Sequence, residues 1–270
     1  LKNVDIDYIL GLINFDAVAF GGNATGTASF TQNGGHPQVH ALLNVPNFTF
    51  NNGPMGHANI AANWNKPENR INLNASMHLP RTVDHGTELK GYVSLAEKGL
   101  DLHINTHHTD LRFLRRYIDG IFDDFTGDAS GDLRLYGPFK KLDFEGKLTA
   151  NAEATVPVTG VRYKVSNGQV ELGSGYFKFS NFSVSDKRGG SGTANGVLRH
   201  THLKKLNYDF TLSASHLLCY NQPKQSSMPF YSTTTGSGSV QLKGAPGLFT
   251  ADIALTPEAP TTFVYDLSSQ

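Results

Sequence analysis

Leu142-Asp-Phe-Glu-Gly-Lys-Leu-Thr-Ala-Asn-Ala-Glu-Ala-Thr-Val156 alternates without a break. Leu142, Phe144, Gly146, Leu148, Ala150, Ala152, Ala154 and Val156 are apolar or glycine, and every residue between them is polar. Successive side chains of a strand point to opposite faces, so a period of two means one dry face and one wet face. At about 3.3 Å per residue the run would reach roughly 45 to 50 Å as one strand, against a usual strand of about 5 to 6 residues. That length predicts a bend or bulge inside it.

The same period extends in both directions. Upstream, Ala58, Ile60, Ala62 and Trp64 form one set and Ile71, Leu73, Ala75, Met77 and Leu79 another, with turn-rich pieces such as Asn51 to Pro54 between sets. Downstream come Val161, Tyr163 and Val165, then Val170 and Leu172, Phe177 and Phe179, Phe182 and Val184, and Tyr208, Phe210, Leu212 and Ala214. Asn167-Gly168 between two of these runs predicts a hairpin turn. Val240, Leu242, Ile253, Phe263 and Tyr265 close the chain as weaker strands.

The period changes between Thr109 and Phe125. Leu111, Leu114, Ile118, Ile121 and Phe125 recur at three and four, with Thr109 or Asp110 as N-cap, which predicts an amphipathic helix. Its arginines come first and its aspartates last, against the macrodipole, so docking of the apolar stripe has to stabilise it. A shorter helical stretch is expected at Asp5 to Leu12. An internal repeat joins the two: Asp5, Ile6, Ile9, Ile13, Phe20, Gly22, Ala24, Thr25 and Gly26 match Asp110, Leu111, Leu114, Ile118, Phe125, Gly127, Ala129, Ser130 and Gly131. A partial third copy starts at Gly238, where Gly238 to Gly244 resembles Gly131 to Gly137, with no helix before it. Repetition of one supersecondary unit predicts a stacked array. The expected organisation is a β segment at 1–108, the helix at 109–125 and a second β segment at 126–270.

Lys plus Arg balances Asp plus Glu at 23 each among 270 residues, so no net field favours nucleic acid. Cys219 is the one cysteine; it follows Leu217 and Leu218 and reads as a buried thiol. No run of about 18 apolar residues is present to form a transmembrane helix. The chain starts at Leu1 and reads as an excerpt of a longer protein. His103, His107 and His108, and His200 with His202, are the tight histidine groups. No carboxylate or thiolate accompanies them at a metal-ligand spacing. Gly189 to Gly196 lacks the Lys-[Ser/Thr] of a phosphate loop and reads as a hairpin turn. No nucleophile stands beside a base, so neither catalysis, metal nor cofactor is expected. Asn23, Asn47, Asn74 and Asn181 lie in Asn-x-[Ser/Thr] triplets, common by chance in an Asn-rich chain.

Over Thr126 to Leu218 the sequence resembles the large periplasmic proteins of the AsmA-like group, most closely the TamB family. The matching pieces are Gly-x-Ala-x-Gly-x-Leu-x-Leu-x-Gly-Pro (Gly127 to Pro138), Leu-x-Phe-x-Gly-x-Leu-x-Ala (Leu142 to Ala150), Val-x-Val-x-Gly-x-x-Tyr-x-Val (Val156 to Val165), Asn181-Phe-Ser-Val-Ser-Asp186, and Gly-x-Ala-x-Gly-Val (Gly192 to Val197). The resemblance implies a mostly β fold, an elongated antiparallel β-taco. This is an open, curled sheet with an apolar groove, carrying one or two short amphipathic helices. It also implies a periplasmic, inner-membrane-anchored protein that moves phospholipid towards the outer membrane, with a BamA-like barrel as partner through regions beyond this stretch. The expected lining is Leu133, Leu135, Leu142, Phe144, Leu148, Val156, Val161, Tyr163, Val165, Tyr208, Phe210 and Leu212, and the helix residues Leu111, Leu114, Ile118, Ile121 and Phe125 are expected to dock in the groove. The alternatives are a scaffold that lends its sheet edge to nascent barrel strands, and a structural β-solenoid or sandwich with a closed core.

Overall fold

Alternation over most of the chain becomes strand over most of the chain. A computed structural model describes all residues except 7–19, 34–35, 51, 80–85, 119–121, 203, 226–227, 229, 246 and 266–270. Its strands are β1 (Val4–Asp5), β2 (Phe20–Gly21), β3 (Asn23–Asn33), β4 (His36–Phe50), β5 (Gly53–Asn65), β6 (Arg70–His78), β7 (Gly86–Ser94), β8 (Gly99–Asp110), β9 (Asp123–Pro138), β10 (Asp143–Val156), β11 (Val161–Gly173), β12 (Tyr176–Asp186), β13 (Ser191–Thr201), β14 (Lys204–Gln222), β15 (Phe230–Ala245) and β16 (Leu248–Tyr265). They form one 16-stranded sheet in which β3 to β16 follow sequence order, β1 flanks β3, and β2 pairs with β4. The sheet is antiparallel and not closed. Mostly β, antiparallel and open is the fold class expected from the sequence.

The run from 142 to 156 is a single strand, Asp143–Val156. By contrast, the hairpin expected at Asn167-Gly168 does not form, because both residues lie inside β11. Asn167 has φ +52° and its N–H donates to Asn151 Oδ1, 3.0 Å away, so the left-handed residue sits within a continuing strand. The turn is one run earlier, at Pro157 to Gly160. Lys187 to Gly190 forms a turn, but Gly192 and Gly196, read from the sequence as part of it, lie in β13.

The expected helix from Thr109 to Phe125 is shortened at both ends. Thr109 and Asp110 pair with Ala129 and Asp128 in the β8–β9 ladder, and Phe125 belongs to β9. Between them Leu111–Leu114 is a 3-10 turn and Arg115–Ile118 one α turn, with Asp110 capping through its carboxylate to Arg112 N at 2.8 Å. Ladder bonds recruit the ends, and a helix this short has little stability of its own. Ile121 and all but the first two residues of the stretch from Asp5 to Leu12 lie outside the described residues; Asp5 is in β1 and Ile6 is buried.

Two compact units interleave along the chain. Unit 1 comprises 1–117, 128–148 and 172–174, and unit 2 comprises 118–127, 149–171 and 175–270. Within each unit a later segment reaches back to an earlier hairpin. In unit 1 the segment after β8 reaches the β4–β5 hairpin: the Phe113 ring lies 5.4 Å from Phe50, and a Cβ on Gly53 would run into the Phe113 main chain. In unit 2 the end of β14 reaches the β10–β11 turn, where Asn221 N donates to Thr159 O at 2.7 Å and Gln222 Nε2 donates to Pro157 O at 2.5 Å.

Candidate apolar binding face

Cross-strand partners share a face, so the register gives each face directly. In unit 1 one row runs Leu43, Ile60, Ala75, Leu89, Ile104, Leu133, and the next runs Ala41, Ala62, Leu73, Gly91, Leu102, Leu135. The opposite face carries Asn44, Asn59, Ser76, Glu88, Asn105 and Asp132 in the same order. Two clusters pack on the apolar face of unit 1, while most residues of these rows stay half-buried. Val45, Ala58, Ala75 and Met77 cluster with Phe48 and Ile6, and Leu100, Leu102 and Leu142 cluster with Leu73, Leu135 and Phe139. Three threonines interrupt it beside the short helix. Thr87 and Thr109 share a 2.6 Å hydroxyl contact, and Thr106 donates to Gly131 O at 3.0 Å.

In unit 2 the rows are Phe179, Gly196, Phe210, Leu242, Ala251 and Phe182, Ala194, Leu212, Val240, Ile253, flanked by Val184, Gly192, Ala214, Gly238, Leu255. None of these residues is charged. Phe179 packs on Phe182 at 5.6 Å and on Phe210 at 5.3 Å. The glycines leave less open space than their size suggests. A Cβ on Gly196 would enter the Phe210 ring, and one on Gly168 the Phe182 ring, so small residues let neighbouring rings lie flat on the sheet. Exposure is uneven over this face: Val184 is 5 % exposed, Leu242 39 % and Ile253 65 %, while Leu255 is half-buried. The opposite face is polar, with Asp209 between Lys243, 3.7 Å away, and Gln241 at 3.2 Å.

Of the expected lining, Leu133, Leu135, Leu142, Phe144 and Leu148 belong to unit 1, and Val156, Val161, Tyr163, Val165, Tyr208, Phe210 and Leu212 to unit 2. Leu142 and Val161 are buried and the other ten are half-buried. Leu111, Leu114, Ile118 and Phe125 are half-buried too, but the ring that packs on the β4–β5 hairpin is Phe113, outside the stripe read from the sequence. Phe179, Phe182, Val240, Leu242 and Ile253 extend the face beyond the expected residues. Their alternation was visible, but which strands they would meet was not.

Tyr163 fixes the returning end of β14: its hydroxyl donates to Leu218 O at 2.8 Å, and burial pushes its pKa well above the ordinary phenol value. Asp186 holds the same strand, accepting from Leu218 N at 2.5 Å while capping the turn through Arg188 N and Gly190 N. Cys219 is half-buried, its Sγ donates to Leu217 O at 3.1 Å, and burial raises its pKa. Among the described residues no group of three or more His, Cys, Asp or Glu is placed to hold a metal. His200 is buried against the Phe177 ring, whereas His202 lies in the turn beyond β13. No described helix is long and apolar enough to cross a membrane. No family model, curated protein or solved structure matches the chain.

Proposed function

We propose that this chain is a non-enzymatic lipid conduit whose uncharged sheet face, in unit 2 above all, carries phospholipid acyl chains. The carrying observation is the row Phe182, Ala194, Leu212, Val240, Ile253, apolar across five strands, half-buried as far as Val240 and exposed at Ile253. Exposing a chain of about 16 carbons to water costs on the order of 12 kcal/mol, so a carrier has to keep charge off the track. An open apolar face of this extent also calls for an occupant. The resemblance to TamB proteins supports the same reading and extends it. The chain would belong to a periplasmic protein that moves phospholipid towards the outer membrane beside a BamA-like barrel.

The test is native mass spectrometry of the purified chain for bound phospholipid, with Leu212→Glu as the variant. The expected result is lipid on the wild type and none on a folded Leu212→Glu protein. Undiminished lipid on that variant, or none on the wild type, overturns the reading.

A second reading rests on β16. Thr256 O and Ala254 O face Gly236 and Gly238 of β15, so the main-chain groups of Ala251, Ile253 and Leu255 point away from the sheet. Such an edge suits a scaffold for nascent barrel strands. Crosslinks from Ile253 to unfolded barrel substrate, insensitive to Leu212→Glu, would favour it over the conduit.

A further inference from the structure

Two histidines far apart in the chain meet on the polar face of unit 1. His57 of β5 and His78 of β6 are partners in register, so their side chains leave the same side of the sheet as the neighbouring pair, Asn59 with Ser76. Their ring centres stand 5.3 Å apart with the planes inclined by 31°. The backbone holds them there: Gly56, next to His57, has φ +84°, and a Cβ on it would strike the His78 carbonyl oxygen, so the two main chains run closer than a side chain would allow. A further contact orients His57. Asn44 Nδ2 lies 2.6 Å from His57 Nε2 and donates to Asn59 Oδ1 at 3.0 Å. On the other side of His78 its register partner is Gly86, which puts no side chain over the pair.

Neutral imidazole offers one lone pair, and two rings on one metal ion have a set spacing. With nitrogen–metal bonds of about 2.0 Å and tetrahedral angles the ring centres fall about 5 Å apart, which is close to the separation of His57 and His78. Imidazole donors suit copper, nickel and zinc, whereas calcium and magnesium take oxygen. Asn44 fits the group that orients a ligating histidine from behind. With a metal on Nδ1 the Nε2 proton points at Asn44, and the amides of Asn44 and Asn59 turn over so that an oxygen receives it. Among the described residues no third His, Cys, Asp or Glu is placed to join the pair, so water takes the remaining positions.

We infer that His57 and His78 form a two-histidine site for a divalent late first-row metal ion, copper(II) held most tightly and nickel and zinc more weakly. The site lies on the face away from the apolar rows, so it stands whether or not those rows carry lipid. A bound ion ties β5 to the last residue of β6 and stabilises the native unit according to its occupancy.

Isothermal titration of the purified chain near neutral pH with Cu2+, Zn2+ and Ca2+ tests it. The wild type should bind Cu2+ more tightly than Zn2+ and show no heat with Ca2+. His57→Gln and His78→Gln, each keeping its circular dichroism, should weaken the tightest Cu2+ equivalent by about tenfold or more. His103→Gln, on the same face at β8, should bind as wild type. Electron paramagnetic resonance of the Cu2+ complex is a separate readout: two nitrogen donors are expected in the wild type and one in either single variant. No Cu2+ or Zn2+ on the wild type, unchanged affinity in both variants, an equal loss in His103→Gln, or Ca2+ bound as tightly as Cu2+ each overturns the inference. Leu212→Glu separates the two proposals, because it should abolish lipid capture and leave metal binding intact.

Discussion

The Tyr163 hydroxyl donates to the main-chain carbonyl of Leu218, 2.8 Å away, although β12 and β13 lie between their strands in the sheet. Leu218 is 1 % exposed, so this carbonyl has no access to water. Tyr163→Phe leaves it without that donor and should lower unfolding stability by about 1 kcal/mol, read from the urea midpoint. The raised phenol pKa adds a pH signature. A folded pKa above the unfolded value of about 10 gives stability that is complete below pH 10 and lost as pH rises through the folded value. Wild-type stability should therefore fall above pH 10 more steeply than that of Tyr163→Phe.

Arg134 clamps two acids on the polar face of unit 1, Asp101 at 2.7 Å and Glu145 at 2.9 Å, and the guanidinium holds the Asp101 carboxyl below its ordinary value. A depressed pKa contributes stability that is present above about pH 4 and lost as pH falls through the folded value. Asp101→Asn should cost less than about 1 kcal/mol at pH 7, given the exposure of Arg134, and almost nothing near pH 2. Urea midpoints at the two pH values check this. An equal loss at both would assign Asp101 a packing role instead.

Asn167 stands in left-handed backbone in mid-strand, bonded to Asn151. Asn167→Gly should be tolerated within about 0.5 kcal/mol, while Asn167→Val, β-branched at positive φ, should cost about 2 kcal/mol. Thermal melts of the two variants decide it. Equal losses would show that the side-chain contact, not the backbone, governs the site.

Gly26, Gly131 and Gly238 occupy the position shared by the three sequence copies, with φ of +153°, +146° and +143°. A Cβ on Gly238 would strike the Ala254 carbonyl oxygen of the neighbouring strand. Gly238→Ala should therefore cost more than about 1 kcal/mol and loosen β15–β16 first. Hydrogen exchange along Leu248–Tyr265 should accelerate while β12–β13 stays protected.

The period of two was enough to read the strands and their dry face, because alternation is dictated by the strand itself; the open antiparallel sheet was what the family resemblance implied. The repeat was legible as well, and it proves to include more than the matched residues. His108 and His216 both stand at register shifts in left-handed backbone, and both donate their N–H to a serine of the next strand, Ser130 and Ser237. Such bulges were not legible in advance. Each consumes one residue, so Thr106 and Thr109, or Phe179 and Phe182, share a face at a spacing of three that resembles a helix or a turn. The same ambiguity made Asn167-Gly168 read as a hairpin. Phe113 was missed because its contact with Phe50 belongs to a segment that reaches back to an earlier hairpin, which a local period does not contain.

From β4 onward each strand pairs with the strand before it in the chain, so the sheet can zip hairpin by hairpin from short loops. The bonds that reach back are of another kind: Tyr163 to Leu218 spans 55 residues and Pro157 to Gln222 spans 65. They have to wait for the intervening hairpins, and the larger loop entropy falls on them. During folding the flat ribbon would precede its clasp, and apolar rings would face water in the interval.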